Sequence, residues 1–175
     1  MTPEKAFWHA IKHGPSEKTR TIACENPYFA YQYAKEVDKC PHEDTKKAAC
    51  KKPYYALIYA QEIYKGPEDY IGNILAMNPE FAYRYAKDIE GPSEKTRKGA
   101  CINPYYAYYY ALEVDKCPHE DTRKGAYKSI YYAFEYAKNI DKCFRKDAWE
   151  IIKQDERYKK KYKKRFISQM KGAII

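Results

Sequence analysis

Asn26–Cys50 reads NPYFAYQYAKEVDKCPHEDTKKAAC, and Asn103–Tyr127 reads NPYYAYYYALEVDKCPHEDTRKGAY. The two stretches share 19 of 25 residues at an offset of 77, and the same offset relates GPSEKTR at Gly14–Arg20 to GPSEKTR at Gly91–Arg97. Within each long unit a shorter period is present. Pro15, Pro41, Pro67, Pro92 and Pro118 are spaced by 26, 26, 25 and 26 residues. A fixed short period is the signature of a solenoid, in which no unit buries its own apolar face without neighbours.

Six copies align on Pro-x-x-Ala-x-x-x-Ala, from Pro3/Ala6/Ala10 through Pro27/Ala30/Ala34, Pro53/Ala56/Ala60, Pro79/Ala82/Ala86 and Pro104/Ala107/Ala111 to Ile130/Ala133/Ala137. Asn26, Asn78 and Asn103 precede the proline. Asn as N-cap with Pro at the first helical position predicts a helix start. The two alanines and the later Val37, Ile63, Ile89, Val114 or Ile140 form one helical stripe, where small side chains let neighbouring helices approach closely. A second segment, P-x-E-x-T-x-x-(A/G/I)-A, places Pro and an acid at its start, which predicts a short helix beginning at that proline. The fold expected is all-α: a right-handed α-solenoid of about six helical hairpins over residues 1–153. Residues 154–175 then form a basic capping helix and tail. The proline-free stretch from Asp147 toward Met170 reads as one longer helix, with Ala148, Ile151, Ile152, Tyr162 and Phe166 partly covering the open end.

The 175 residues carry a formal net charge of +9, but residues 154–175 hold eight Lys or Arg against two acids. The body, with 25 cations and 22 acids, is close to balanced. The basic tail comprises Arg157, Lys159, Lys160, Lys161, Lys163, Lys164 and Arg165. No apolar run reaches the roughly 18 residues of a membrane span, and MTPEKAFWHAIKH lacks the apolar centre of a signal peptide. A cytoplasmic protein without a membrane partner is expected. The six cysteines do not come and go in pairs between repeats, so reduced, mostly buried thiols are expected rather than a disulfide framework.

The 21 tyrosines decide where function is sought. At 100° per residue, Tyr33, Tyr59, Tyr85, Tyr110 and Tyr136 lie about 60° from the centre of the alanine stripe. They are core or groove residues whose hydroxyls reach a partner or water. The residue after the proline lies about 160° away. Tyr28, Tyr54, Tyr105 and Tyr131 occupy it, and Glu80 replaces them in the fourth copy. With Tyr109, Arg84, Lys35, Lys87 and Lys138, followed by Lys39, Lys65, Lys116 and Lys142, they form a Tyr–Lys ladder. One reading is a solvated face neutralised within each helix, Glu36 pairing Lys39 and Glu113 pairing Lys116. The other is an aromatic and cationic strip that stacks bases or binds phosphates.

CPHED at Cys40–Asp44 and Cys117–Asp121 clusters a thiol, an imidazole and carboxylates, but His42 and His119 are expected to point outward from a first helical turn, and the copies lie three repeats apart. Neither a metal site nor a nucleophile is expected there, and no cofactor is implied. NPYFAYQYAKEV, NPEFAYRYAKDI and NPYYAYYYALEV resemble the short A-x-x-Y-A tandem helical repeats of tailed phages and large DNA viruses. That resemblance implies an α-solenoid and a viral accessory protein acting on host machinery, such as an inhibitor of a defence complex in the host cytoplasm. The function expected is non-catalytic binding of a protein or nucleoprotein partner. Direct binding of RNA, single-stranded DNA or nucleotide phosphates by the Tyr–Lys surface and tail is the alternative.

Overall fold

A computed structural model describes residues 1–170, so the last five residues of the expected tail lie outside the described residues. Every regular element among the described residues is helical. Longer helices, α1 (Pro3–His13), α3 (Pro27–Gln32), α5 (Pro53–Tyr59), α7 (Pro79–Tyr85), α9 (Pro104–Tyr109) and α11 (Ile130–Tyr136), the last five each lengthened by a π turn that continues it, alternate with seven-residue helices. The short ones are α2 (Glu17–Ala23), α4 (Glu43–Ala49), α6 (Asp69–Leu75), α8 (Glu94–Ala100), α10 (Glu120–Ala126) and α12 (Lys146–Ile152), and α13 (Glu156–Met170) ends the stack. Each longer helix packs on the short helix that follows it and on the longer helix of the next unit. The alanine stripe is the seam: Ala6, Ala30, Ala56, Ala82, Ala107 and Ala133 are fully buried. Glycine tightens it further at Gly99, where an added Cβ would lie 2.1 Å from the Ala76 carbonyl oxygen. This is the expected all-α repeat architecture.

Asn26, Asn78 and Asn103 cap their helices as expected, Asn26 Oδ1 accepting from the Tyr28 and Phe29 amides. The short helices start later than the prolines suggest. Ser16, His42, Glu68, Ser93 and His119 are the N-caps, and Pro15, Pro41, Pro67, Pro92 and Pro118 lie just outside. His42 and His119 thus spend Nδ1 as an acceptor for the Asp44 and Asp121 amides, at 3.3 and 3.2 Å. Imidazole stands in for the usual capping oxygen.

The stretch from Asp147 to Met170 is two helices rather than one. α12 ends at Ile152, and Asp155 then caps α13, its Oδ1 accepting from the Arg157 and Tyr158 amides. Asp155 stands 26 residues after Ser129 and 52 after Asn103, so α13 is the first helix of a further unit. Lys159 and Lys163 occupy its alanine positions. At the other end Lys5 and His9 hold positions that are Phe29 and Tyr33 one unit later. Both helices therefore place charge or polarity where inner helices place apolar contact.

A hydroxyl pin joins each longer helix to the start of the short helix before it. Tyr33, Tyr59, Tyr85, Tyr110, Tyr136 and Tyr162 are all fully buried. Each hydroxyl accepts the amide of an N-cap residue 17 positions earlier, namely Ser16, His42, Glu68, Ser93, His119 and Arg145, at 2.8–3.2 Å. In four units a buried threonine closes the ring: Thr19, Thr45, Thr96 and Thr122 lie 2.8–2.9 Å from the tyrosine oxygen. Where Ile71 and Ala148 replace the threonine, Tyr85 and Tyr162 donate directly to the Glu68 and Arg145 carbonyls, at 3.1 and 3.2 Å. The pin supplies the orphan amide of a helix start with a partner in a buried site.

Arginine covers three of these rings. Arg20, Arg97 and Arg123 lie 5.7 Å from the Tyr33, Tyr110 and Tyr136 centroids and hold Asp38, Asp115 and Asp141 at 2.7 Å. The remaining inner units exchange partners: Lys46 pairs with Glu68, and Gly72 leaves room for Lys95 to reach Glu90.

Five longer helices end in a π turn, over Tyr33–Asp38, Ala60–Tyr64, Ala86–Glu90, Tyr110–Asp115 and Ala137–Asp141. The closing amide reaches five residues back, as from Lys65 to Ala60, Gly91 to Ala86 and Lys142 to Ala137. The closing residue has positive φ: Lys39, Lys65, Lys116 and Lys142 at 55–57°, and Gly91 at 82°. The 25-residue interval arises here. Gly91 is at once the closing residue and the residue before Pro92, with φ 82° and ψ −170°, a conformation open essentially to glycine alone. In the other π-ended units a left-handed lysine takes the turn, which frees the next position for Cys40, Gly66, Cys117 or Cys143.

Candidate partner-binding face

The tyrosines after the helix-starting positions stand on the surface as expected. Tyr28, Tyr54, Tyr105 and Tyr131 are 41, 53, 42 and 46% exposed, while Tyr109 is half-buried. Tyr28 and Tyr105 follow Asn-Pro, Tyr54 follows Lys52-Pro53 and Tyr131 follows Ser129-Ile130, so each ring stands at a helix N-terminus. Ring contacts divide the face into two clusters. Trp8, Phe7, Phe29, Tyr28, Tyr55, Tyr31 and Tyr54 form the first, through centroid separations of 5.0–6.4 Å. The second runs from Tyr83 through Tyr106, Tyr105, Tyr109, Tyr108, Tyr132 and Tyr131 to Tyr158. Glu80 breaks the row between them, with Arg84 beside it at 3.5 Å.

Three lysines of the ladder, Lys35, Lys87 and Lys138, are not free cations. Lys35 Nζ lies 2.8 Å from Glu62 of the next unit and donates to the Tyr31 hydroxyl at 3.2 Å, while that hydroxyl donates to Glu62 at 2.6 Å. Lys87, Tyr83 and Glu113 repeat the arrangement at 2.5, 3.2 and 2.7 Å. In the last copy Lys138 meets Glu135 at 3.2 Å, and Asn139 bridges Glu135 to the Tyr108 hydroxyl. Hydrogen bonds from Lys35 and Lys87 hold Glu62 and Glu113 below the ordinary glutamate range, and the same bonds raise the two lysines. Burial, followed by the bond to Glu113, pushes the Tyr83 phenol up to about 12. For Lys35 and Lys87 neutralisation runs across units, Glu113 serving Lys87 and not Lys116, whereas Lys138 and Arg84 pair within their own helices. Lys39, Lys65, Lys116 and Lys142 depart from the ladder altogether, because the left-handed turn carries them out of the helix.

The basic residues belong to α13, which packs on α11 and α12 through Tyr162, Phe166 and Met170. Lys159 pairs with Glu156, Lys163 lies over Trp149 and Arg165 over Phe166. Arg157, Lys160, Lys161 and Lys164 are exposed and, among the described residues, have no carboxylate partner.

All six cysteines are free, but burial divides them evenly. Cys50 and Cys101 are buried and their thiols are pushed up to about 12; half-buried Cys24 rises to about 11 by the same desolvation. Cys40, Cys117 and Cys143 are exposed, against the expectation of mostly buried thiols, because the residue after the left-handed lysine lies in an open turn. No group of three or more His, Cys, Asp or Glu able to hold a metal ion occurs among the described residues, and no described helix is long and apolar enough to cross a membrane. The concavities between units are open grooves, one of them lined by Lys98, Cys101, Ile102, Asp121, Lys124 and Lys128. The pins and the cross-unit triads were not foreseen. The recurrent 17-residue interval between cap and tyrosine is the signal that would have found the pins. No family model matches the chain, and no curated protein or solved structure is similar to it.

Proposed function

We propose that the protein is a non-catalytic scaffold that binds a protein, or the protein part of a nucleoprotein complex, through the tyrosine face of its longer helices. One observation carries this reading: Tyr28 and Tyr54 project from successive helix starts, while Lys35, on the helix of Tyr28, is already neutralised by Glu62 of the unit that carries Tyr54. The face offers large, amphipathic rings at low cost in side-chain entropy, without a net cation to demand an anionic ligand. Tyrosine used this way anchors protein interfaces. The hydroxyl pins support the role, since they hold successive helices in one register and so preorganise the row. An inhibitor of a host or bacterial defence complex is one specific form of this function, and it rests on the resemblance to viral repeat proteins alone.

The test compares immobilised wild-type chain with Tyr28→Ser/Tyr54→Ser, after equal melting temperatures are confirmed. A partner protein retained by the wild type at about one Debye length of screening, ~0.1 M salt, and lost by the double variant is the expected result. Equal retention by both proteins overturns the assignment of the face.

A further inference from the structure

The second aromatic cluster ends on the basic helix. Tyr105 contacts Tyr109 at 4.6 Å and Tyr132 at 5.9 Å, Tyr132 contacts Tyr131 at 4.8 Å, and Tyr131 meets Tyr158 of α13 at 6.2 Å. Arg157 lies 4.6 Å from the Tyr158 centroid and donates to its hydroxyl at 2.8 Å, and Lys161 lies 5.4 Å from the same ring. Arg157, Lys160, Lys161 and Lys164 fall at i, i+3, i+4 and i+7, one face of a helix. All four are exposed. The first cluster has no such neighbour: its lysine, Lys35, is held by Glu62.

We propose that Tyr105, Tyr131 and the Arg157–Lys160–Lys161–Lys164 face form a binding site for single-stranded nucleic acid. This site is independent of the protein-partner reading, which is tested on Tyr28 and Tyr54. Exposed rings stack unpaired bases whatever their identity, and an adjoining cationic track neutralises the backbone that joins them. A duplex fits less well, because its bases are already stacked on one another. A lipid surface fits less well too. The apolar side of α13 is spent on the core through Tyr162, Phe166 and Met170, and Ile167 is the exposed aliphatic of the described helix. An acidic peptide would satisfy the cations but leave the exposed rings unused.

The experiment is a fluorescence anisotropy titration of the full chain with labelled oligo-dT and oligo-U, beside a duplex, a polyglutamate peptide and phosphatidylserine vesicles. Four phosphate contacts predict a slope of log K against log salt of about −2.8, a loss of about 50-fold between roughly 50 and 200 mM salt. Lys160→Gln with Lys164→Gln brings the slope to about −1.4. Tyr131→Leu, which keeps an apolar side chain but no ring, weakens binding by about 5-fold or more at both salt concentrations. Preference between oligo-dT and oligo-U separates DNA from RNA as the source of the strand. The proposal is overturned if neither oligonucleotide binds at the lower salt. It is equally overturned if duplex, peptide or vesicles bind as tightly, or if Tyr131→Leu leaves affinity unchanged in a protein that melts like the wild type.

Discussion

Tyr110→Phe removes one oxygen from the centre of the stack and nothing else. The ring keeps its packing, so no cavity term enters, and the loss falls on the Ser93 amide that the hydroxyl accepts at 3.0 Å. Thr96 keeps a partner, since Ser93 Oγ lies 2.7 Å away. One buried donor is thus left unsatisfied, at about 1–3 kcal/mol. A middle value of about 2 kcal/mol lowers the melting temperature of a chain this size by about 4–8 °C. Thr96→Val is the informative control. Tyr85 shows what the pin does without threonine: its hydroxyl donates straight to the Glu68 carbonyl, at 3.1 Å, and still accepts the Glu68 amide. Tyr110 already lies 3.1 Å from the Ser93 carbonyl, so Thr96→Val costs less than about 1 kcal/mol, the net worth of one hydrogen bond. Guanidinium denaturation followed by far-ultraviolet circular dichroism measures both, with an unchanged slope confirming that only stability moved. The reasoning fails if Tyr110→Phe lies within about 0.5 kcal/mol of wild type, a change typical of an uninvolved surface site, or if Thr96→Val costs more than Tyr110→Phe.

Arg97→Met leaves the Asp115 carboxylate, 3% exposed, without its cation. It destabilises by about 3–5 kcal/mol, and Arg97→Met/Asp115→Leu recovers most of that loss; a double variant no better than the single one contradicts the pairing. Gly91→Ala costs about 1–3 kcal/mol through backbone strain alone, since nothing lies within 4 Å of the added Cβ. Gly66→Ala, with equal space and no positive φ, is close to neutral in the same denaturation assay. A thiol reagent titrates Cys40, Cys117 and Cys143 quickly in the native protein and all six after denaturation without reductant; two or fewer in the unfolded chain shows disulfides. Glu62 and Glu113 have depressed folded pKa values, so their triads contribute fully above the ordinary glutamate pKa of about 4.3. That contribution is lost as pH falls through the folded values. Glu62→Gln/Glu113→Gln therefore flattens the decline in melting temperature below about pH 4.3. A decline as steep as the wild type's assigns the acid sensitivity elsewhere.

The sequence by itself determined the unit and its helices. Asn-Pro starts, the buried alanine pair and the 25- or 26-residue interval are local or strictly periodic properties, and the stack follows from them. The exposed positions of Tyr28, Tyr54, Tyr105 and Tyr131 were legible for the same reason, because a helical wheel holds within one unbroken helix. Tertiary structure decided the rest. The wheel stops being valid where a π turn adds a residue, so Lys39, Lys65, Lys116 and Lys142 left the ladder and Cys40, Cys117 and Cys143 became exposed. It also says nothing about contacts between units, which depend on how far each hairpin is displaced from the last. That displacement joins Lys35 to Glu62 rather than to a partner in its own helix, and it brings the Tyr110 hydroxyl to an amide 17 residues away. The division of one tyrosine ladder into two clusters, of which only the second meets the basic helix, exists only once the units are stacked.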